Sequence, residues 1–201
     1  MTTLRDLLWH ASVTIAAIVF AVEAGNPQAA GAVGPIQEQA ESCAACHGPG
    51  GHSSMTEVPS LAGQPAYYLT LQLTLFRDKQ RQSARMSPIA AALSDSDLEQ
   101  LGAYFAALPP AEPLAGQDSS RTGEGERLAQ ANHCASCHLA TYAGQNQMAR
   151  LAGQREDYLL KAMKDYRDGK RPGFDGTMTE VLHGLPDRDL AALAHYLSQL
   201  R

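Results

Sequence analysis

Alternating apolar and polar runs rich in β-branched residues, the mark of a half-buried strand, occur nowhere in the 201-residue chain. Sheet architectures therefore drop out and an all-α fold is expected. Aromatic residues are scarce, at 6%. Charged residues account for only 18% against 44% hydrophobic, which suits a globular protein and rules out a disordered tail, a collagen or a coiled coil. There is no basic excess: the net charge is −5, and without a positive face for phosphates nucleic acid is excluded as a partner.

A bilayer-spanning run of roughly 20 apolar residues is also missing. The nearest approach, Leu7 to Val22 behind Arg5, is shorter and is followed by two small-residue sites, Val22-Glu23-Ala24 and Gln28-Ala29-Ala30. This pattern reads as a signal peptide over residues 1–24, with an uncleaved N-terminal anchor as the alternative. A periplasmic location is expected, with peripheral or anchored membrane association as its variant.

The rest of the chain is one unit written twice. Cys43-Ala44-Ala45-Cys46-His47 recurs as Cys134-Ala135-Ser136-Cys137-His138; Leu61-Ala62-Gly63-Gln64 recurs letter for letter as Leu151-Ala152-Gly153-Gln154; and Met86 recurs as Met178, each 18 residues before a tyrosine, Tyr104 or Tyr196. Leu69, Leu73 and Phe76 match Leu159, Met163 and Tyr166 at the i, i+4, i+7 spacing of a helical stripe. Terminal helices follow, carried by Leu98, Leu101, Phe105 and Leu108 and by Leu190, Leu193, Leu197 and Leu200. Ser94 with Asp97 resembles a capping box that starts the first of these, and Pro186 stands in the place of Ser94 in the second. The Pro/Gly-rich stretch at 109–121 is expected to link domains at 25–108 and 122–201, with a new helix over Glu124 to His133 leading into the second cysteine pair.

Domains of this size have small cores and often lean on a bound group, and the cysteines show which. Two thiols spaced Cys-x-x-Cys can form thioethers with the two vinyls of a haem, and the histidine that follows then lies under the iron. A single zinc held by four cysteines and a thiol–disulfide pair are the alternatives; zinc leaves unexplained why a histidine follows each pair. Two covalently attached haem c groups are expected on Cys43, Cys46, His47 and on Cys134, Cys137, His138. For the sixth ligand, Met86 and Met178 occupy equivalent points of the repeat. Met55 and Met148 do not, and Met163 sits on an apolar stripe. His183 is the nearest rival in the second unit but falls at a surface position, and His52, His133 and His195, which have no counterparts, are expected to be solvated.

On these motifs, over about residues 36–201, the sequence resembles the dihaem cytochromes of the cytochrome c4 family, tandem class I cytochrome c domains. The resemblance implies that the proline before the LAGQ turn presents its carbonyl to the haem histidine. Pro59 matches, while Ala149 stands there in the second repeat and puts identical tuning of the two haems in doubt. Arg77, Arg81, Arg167 and Arg171 stand at corresponding positions, either meeting haem propionates or lying on a solvated helix face. The implied function is that of an electron carrier rather than an enzyme, passing single electrons between respiratory donors and a terminal oxidase or similar acceptor. The second repeat, with Arg171-Pro172 after its helix, is also similar to dihaem subunits of flavocytochrome sulfide dehydrogenases, so the cytochrome subunit of a flavin- or molybdenum-dependent dehydrogenase is the second expectation. A peroxidase, which needs an open iron, is the third.

Overall fold

The computed structural model describes residues 35–113, 119–172 and 175–201. The signal peptide expected over 1–24 lies outside them, as do residues 114–118 of the expected linker. Among the described residues the chain is helical, with one isolated bridge between Gln145 and Met148, in agreement with the all-α expectation. No helix among them is long and apolar enough to cross a membrane.

The first repeat holds α1 (Pro35–His47), α2 (Ala66–Arg77), α3 (Met86–Ala91) and α4 (Asp95–Ala106). The second holds α5 (Ser119–Ala131), the single turn α6 (Ala135–His138), α7 (Glu156–Arg167), α8 (Thr177–Leu182) and α9 (Asp187–Ser198). Packing repeats with the sequence: α1 and α2 lie on α4 with α3 on α2, while α5 and α7 lie on α9 with α8 on α7. The stripes read from the sequence supply the cores. Leu69, Leu101 and Phe105 join Ala40 in one buried cluster, and Leu159, Met163, Leu190, Leu193 and Leu197 join Leu128, Ala129 and Leu182 in another.

Local chemistry sets the helix starts. At α4 the Asp97 N–H donates to Ser94 Oγ at 3.2 Å and the Ser94 N–H donates back to Asp97 Oδ2 at 2.9 Å, the capping box read from the sequence. Pro186 caps α9 in extended conformation without a side-chain bond, and Asp187 and Asp189 place negative charge in its first turn, where the helix dipole favours it.

The helix expected over Glu124 to His133 begins earlier and ends sooner, over Ser119–Ala131. It extends forward because Arg121 docks its first turn, reaching Glu156 Oε1 on α7 at 2.6 Å and the Ala191 carbonyl on α9 at 3.4 Å. It stops because Asn132 Nδ2 bonds the Leu128 carbonyl at 2.8 Å and His133 turns left-handed at φ 53°. The first repeat has no such break, and α1 runs through Cys43 to His47.

The α5–α9 crossing is close enough to require glycine. A Cβ at Gly125 would lie 2.2 Å from the Ala192 carbonyl oxygen, whereas one at Gly123, on the same helix, meets nothing within 4 Å. Gly125→Ala should therefore cost about 1–3 kcal/mol by forcing the helices apart. Gly123→Ala should be neutral or stabilise by about 0.5–1 kcal/mol through helix propensity. Urea denaturation midpoints of the two variants check the pair.

Candidate functional site

The two histidines that follow the cysteine pairs are held alike. His47 Nδ1 lies 2.8 Å from the Pro59 carbonyl oxygen and His138 Nδ1 lies 2.8 Å from that of Ala149. A carbonyl can only accept, so each Nδ1 carries the proton and each Nε2 presents a lone pair. Both rings are buried, at 7% exposure. Burial pushes both imidazoles below the ordinary histidine value, against the carbonyl bond that favours the protonated form, which keeps the lone pair free at neutral pH. His138 Nε2 is buried with no hydrogen-bond partner; an orphaned buried nitrogen calls for a ligand, and an iron under it fits.

Cys43 and Cys46 sit one turn apart at the end of α1, directly before His47. Cys134 caps α6, which carries Cys137 and His138. All four cysteines are free of disulfides. Cys43 borders the first core and Cys134 the second, so the pairs belong to separate domains. Among the described residues no group of three or more His, Cys, Asp or Glu side chains gathers to hold a metal ion, which a four-cysteine zinc site would demand. Burial raises the Cys43 and Cys134 thiols, the reverse of what a reactive redox thiol needs.

Three methionines, Met86, Met148 and Met178, are half-buried. Met86 opens α3 and Met178 lies in the first turn of α8. The Met86 N–H donates to Ser83 Oγ at 3.1 Å, and Met178 packs against the second core. Met163 is buried in that core and Met55 is exposed. His52, His133 and His183 are exposed.

His195, expected to be solvated, is instead only 3% exposed. It lies on α9 between Ala194 and Tyr196, where α5 and α7 cover the helix on more than its leucine stripe. Its Nδ1 donates to Glu156 Oε2 at 2.9 Å, and the other carboxylate oxygen of Glu156 receives Arg121. The residue ties α9 to α7.

The four arginines divide into two pairs. Arg77 bonds Asp78 and Asp95 at the surface, and Arg167 bonds Asp168 and Asp187. Arg81 and Arg171 instead meet between the repeats. Arg171 donates to Tyr68 Oη at 3.0 Å, Gln72 Oε1 at 2.9 Å and Tyr158 Oη at 3.2 Å, while Arg81 donates to Gln72 Oε1 at 2.6 Å and Tyr158 Oη at 3.4 Å. Arg171 is 4% exposed and its Nε has no partner. None of the described carboxylates pairs with either guanidinium. Burial alone would raise the Tyr158 phenol, yet Arg171 and Arg81 outweigh it and bring it below the ordinary tyrosine value. Two cations facing only neutral acceptors suit an anionic group such as a haem propionate.

The LAGQ motif does more than mark the repeat. Gly63 and Gly153 both adopt φ 69°, and a Cβ there would fall 2.7 Å from Pro110 and 2.6 Å from the Ala111 oxygen, so the turn admits only glycine. It delivers each glutamine to the opposite repeat. Gln154 Oε1 accepts from the Ser60 N–H and its Nε2 donates to the Ser60 carbonyl, both at 2.8 Å. Gln64 Oε1 accepts from the Arg150 N–H at 3.0 Å and its Nε2 donates to the Arg150 carbonyl at 2.9 Å. Sequence reasoning found these glutamines as markers but not as bridges, and it missed Tyr68, Gln72 and Tyr158. The available signal was a polar residue kept in an apolar tetrapeptide in both copies.

Comparison with known proteins agrees with the geometry. Residues 123–201 match the family described as Cytochrome c, and residues 37–105 match the one described as Cytochrome C oxidase, cbb3-type, subunit III. The chain is 32% identical to cytochrome c4 of Pseudomonas aeruginosa, covering 88% of this chain and 92% of that one. It is 36% identical to the thiosulfate dehydrogenase electron acceptor of Thiomonas intermedia, over 80% and 79%. The crystal structure of reduced cytochrome c4 from Pseudomonas stutzeri superposes with a TM-score of 0.77 at 30% identity, covering 86% of this chain and all of that one.

The two arginine pairs should separate in stability. Arg171→Met leaves the half-buried Tyr68 Oη without its arginine donor, while Gln72 and Tyr158 keep Arg81, and should cost about 1–3 kcal/mol. Arg77→Met removes solvent-facing ion pairs and should cost less than about 1 kcal/mol. Guanidinium denaturation of the two variants checks this.

Proposed function

The chain belongs to the cytochrome c4 family of dihaem electron-transfer proteins, and from that premise we propose that its two haem c groups are held by Cys43, Cys46, His47 and Met86 and by Cys134, Cys137, His138 and Met178. The matched pair of histidine-to-carbonyl bonds, each leaving Nε2 free beside two unbridged cysteines, carries this assignment. When bound, each haem iron supplies a one-electron couple. The residues do the rest. The cysteines would anchor the group, and the histidine Nε2 and the methionine thioether would be the iron ligands. An iron held by both would leave no site open to a substrate, in keeping with a protein that carries electrons rather than catalysing a reaction. Arg81 and Arg171 counter propionate charge between the domains. We take the haem domains as residues 25–108 and 122–201, joined through 109–121.

Residues 1–24 are assigned as an export signal that sends the protein to the periplasm, supported by the apolar run and the small residues behind it. The partners are redox proteins. A free shuttle delivering electrons to a terminal oxidase is the first choice. A dehydrogenase partner is the second, favoured by the likeness to a protein named as the electron acceptor of thiosulfate dehydrogenase. Co-purification of a second polypeptide with the native protein would decide for the complex subunit.

Redox titration of the purified holoprotein should show two one-electron waves, both haems with the far-red methionine-to-iron band and neither binding carbon monoxide. Met86→Ala or Met178→Ala should each remove one haem's share of that band and let one haem take carbon monoxide, while Met55→Ala should change neither. A wild-type haem that binds carbon monoxide would overturn the His/Met assignment there.

A further inference from the structure

The peptide group that receives each haem histidine is also gripped from behind by the other domain. The Pro59–Ser60 peptide accepts from His47 Nδ1 through its carbonyl, and its N–H, contributed by Ser60, donates to Gln154 Oε1 at 2.8 Å. The Ala149–Arg150 peptide accepts from His138 Nδ1, and its N–H donates to Gln64 Oε1 at 3.0 Å. Ser60, Gln64 and Gln154 are all buried and Arg150 is half-buried, so the Ser60–Gln154 bond is shielded from water and the Arg150–Gln64 bond partly so.

We propose that Gln64 and Gln154 are positioning residues that set reduction potential across the domain boundary, each glutamine acting on the iron of the opposite repeat. The physical basis is cooperative polarisation along a hydrogen-bonded chain. An acceptor on a peptide N–H makes the carbonyl of that peptide more negative and a better acceptor for the imidazole Nδ1–H. A histidine so bound has more imidazolate character at Nε2, is a stronger donor to iron and favours the ferric form. Removing the glutamine weakens the pull and raises the potential of the haem in the other domain.

The two relays are unequal for a reason visible in the sequence. Gln154 Oε1 also accepts from the Arg155 N–H at 3.0 Å, so its lone pairs are shared. Gln64 is followed by Pro65, which has no N–H, and its oxygen serves Arg150. Pro59 and Ala149 themselves leave the histidine bond unchanged, at 2.8 Å in both repeats. The source of any difference between the haems thus moves from that residue to the glutamine behind it.

This inference rests on His47 and His138 as iron ligands, and the test separates the two. In reduced, diamagnetic holoprotein the Nδ1–H resonances of His47 and His138 are assigned from contacts to their own domains, and the two redox waves are recorded alongside. Gln154→Met should weaken the His47 Nδ1–H bond, seen as an upfield shift, and raise one wave while leaving His138 and the other wave in place. Gln64→Met should do the converse. Gln154→Glu, an acceptor of greater strength, should lower the wave that Gln154→Met raises, and stands in should the apolar variant fail to assemble. Both variants moving the same wave, a fall in place of a rise, or resonances that neither variant moves would overturn the proposal alone. A fall is the result of a loosened interface that admits water to the haem. Wild-type histidine resonances without the ring-current shift of an iron-bound imidazole would overturn the ligand assignment, and this inference with it.

Discussion

A histidine Nδ1–H ending on a backbone carbonyl fixes the tautomer, the ring orientation and the basicity of the nitrogen left over, and the rest of each domain is arranged to bring that carbonyl into place. In the first repeat the chain returns from His47 because Leu61 and Ala62 donate to the Gly51 carbonyl at 2.8 and 3.3 Å. In the second, Leu151 and Ala152 donate to the Tyr142 carbonyl at 2.8 and 3.1 Å. Gly51 reaches its left-handed conformation freely, at φ 76°, while Tyr142 is held there at φ 54°, a cost of order 1 kcal/mol or more for a bulky residue. Burial of its ring in the second core, edge-on to Tyr196, offsets that strain. Because those donors anchor the turn, the rigid φ of a proline is dispensable, and the Ala149 carbonyl lies as close to its histidine as that of Pro59.

Between the repeats, contacts are polar where a simple hydrophobic seam would also have closed the gap. Glutamine amides meet backbone, and two guanidiniums meet phenols and an amide oxygen. Such a network stabilises less than its bond count suggests, since every group in it was desolvated. Its value is directional: a buried amide satisfied on both faces tolerates no sliding, so the two iron sites are held in one relation. Electron transfer falls steeply with separation, and a boundary that cannot slip serves it better than an oily one.

Much of the architecture was legible because it was written twice. Helical stripes, the capping box at Ser94 and the equivalent histidines and methionines all appear as patterns within one repeat, and each depends on neighbours near in sequence. The misread residues depend on partners far away. His195 has no local sign of burial, and the Glu156 carboxylate that it meets lies on another helix. The forward extension of α5 to Ser119 hangs on Arg121 reaching α7 and α9. Arg77 and Arg81 stand four residues apart, at the end of α2 and in its following turn, yet one finds aspartates and the other faces the second domain. Composition and spacing cannot tell such a pair apart.

The glutamine bridges have the form of an isologous contact, in which position i of one body meets position j of the other and j meets i in return. Two identical chains related by a twofold axis make contacts of this kind, and in such a dimer every substitution is felt twice. Here both halves of the contact lie in one chain, and a change can be made on one side alone. Pro65 opposite Arg155 is such a change. Covalent linkage thus lets a symmetric interface hold two chemically distinct centres, which a pair of identical subunits could not encode.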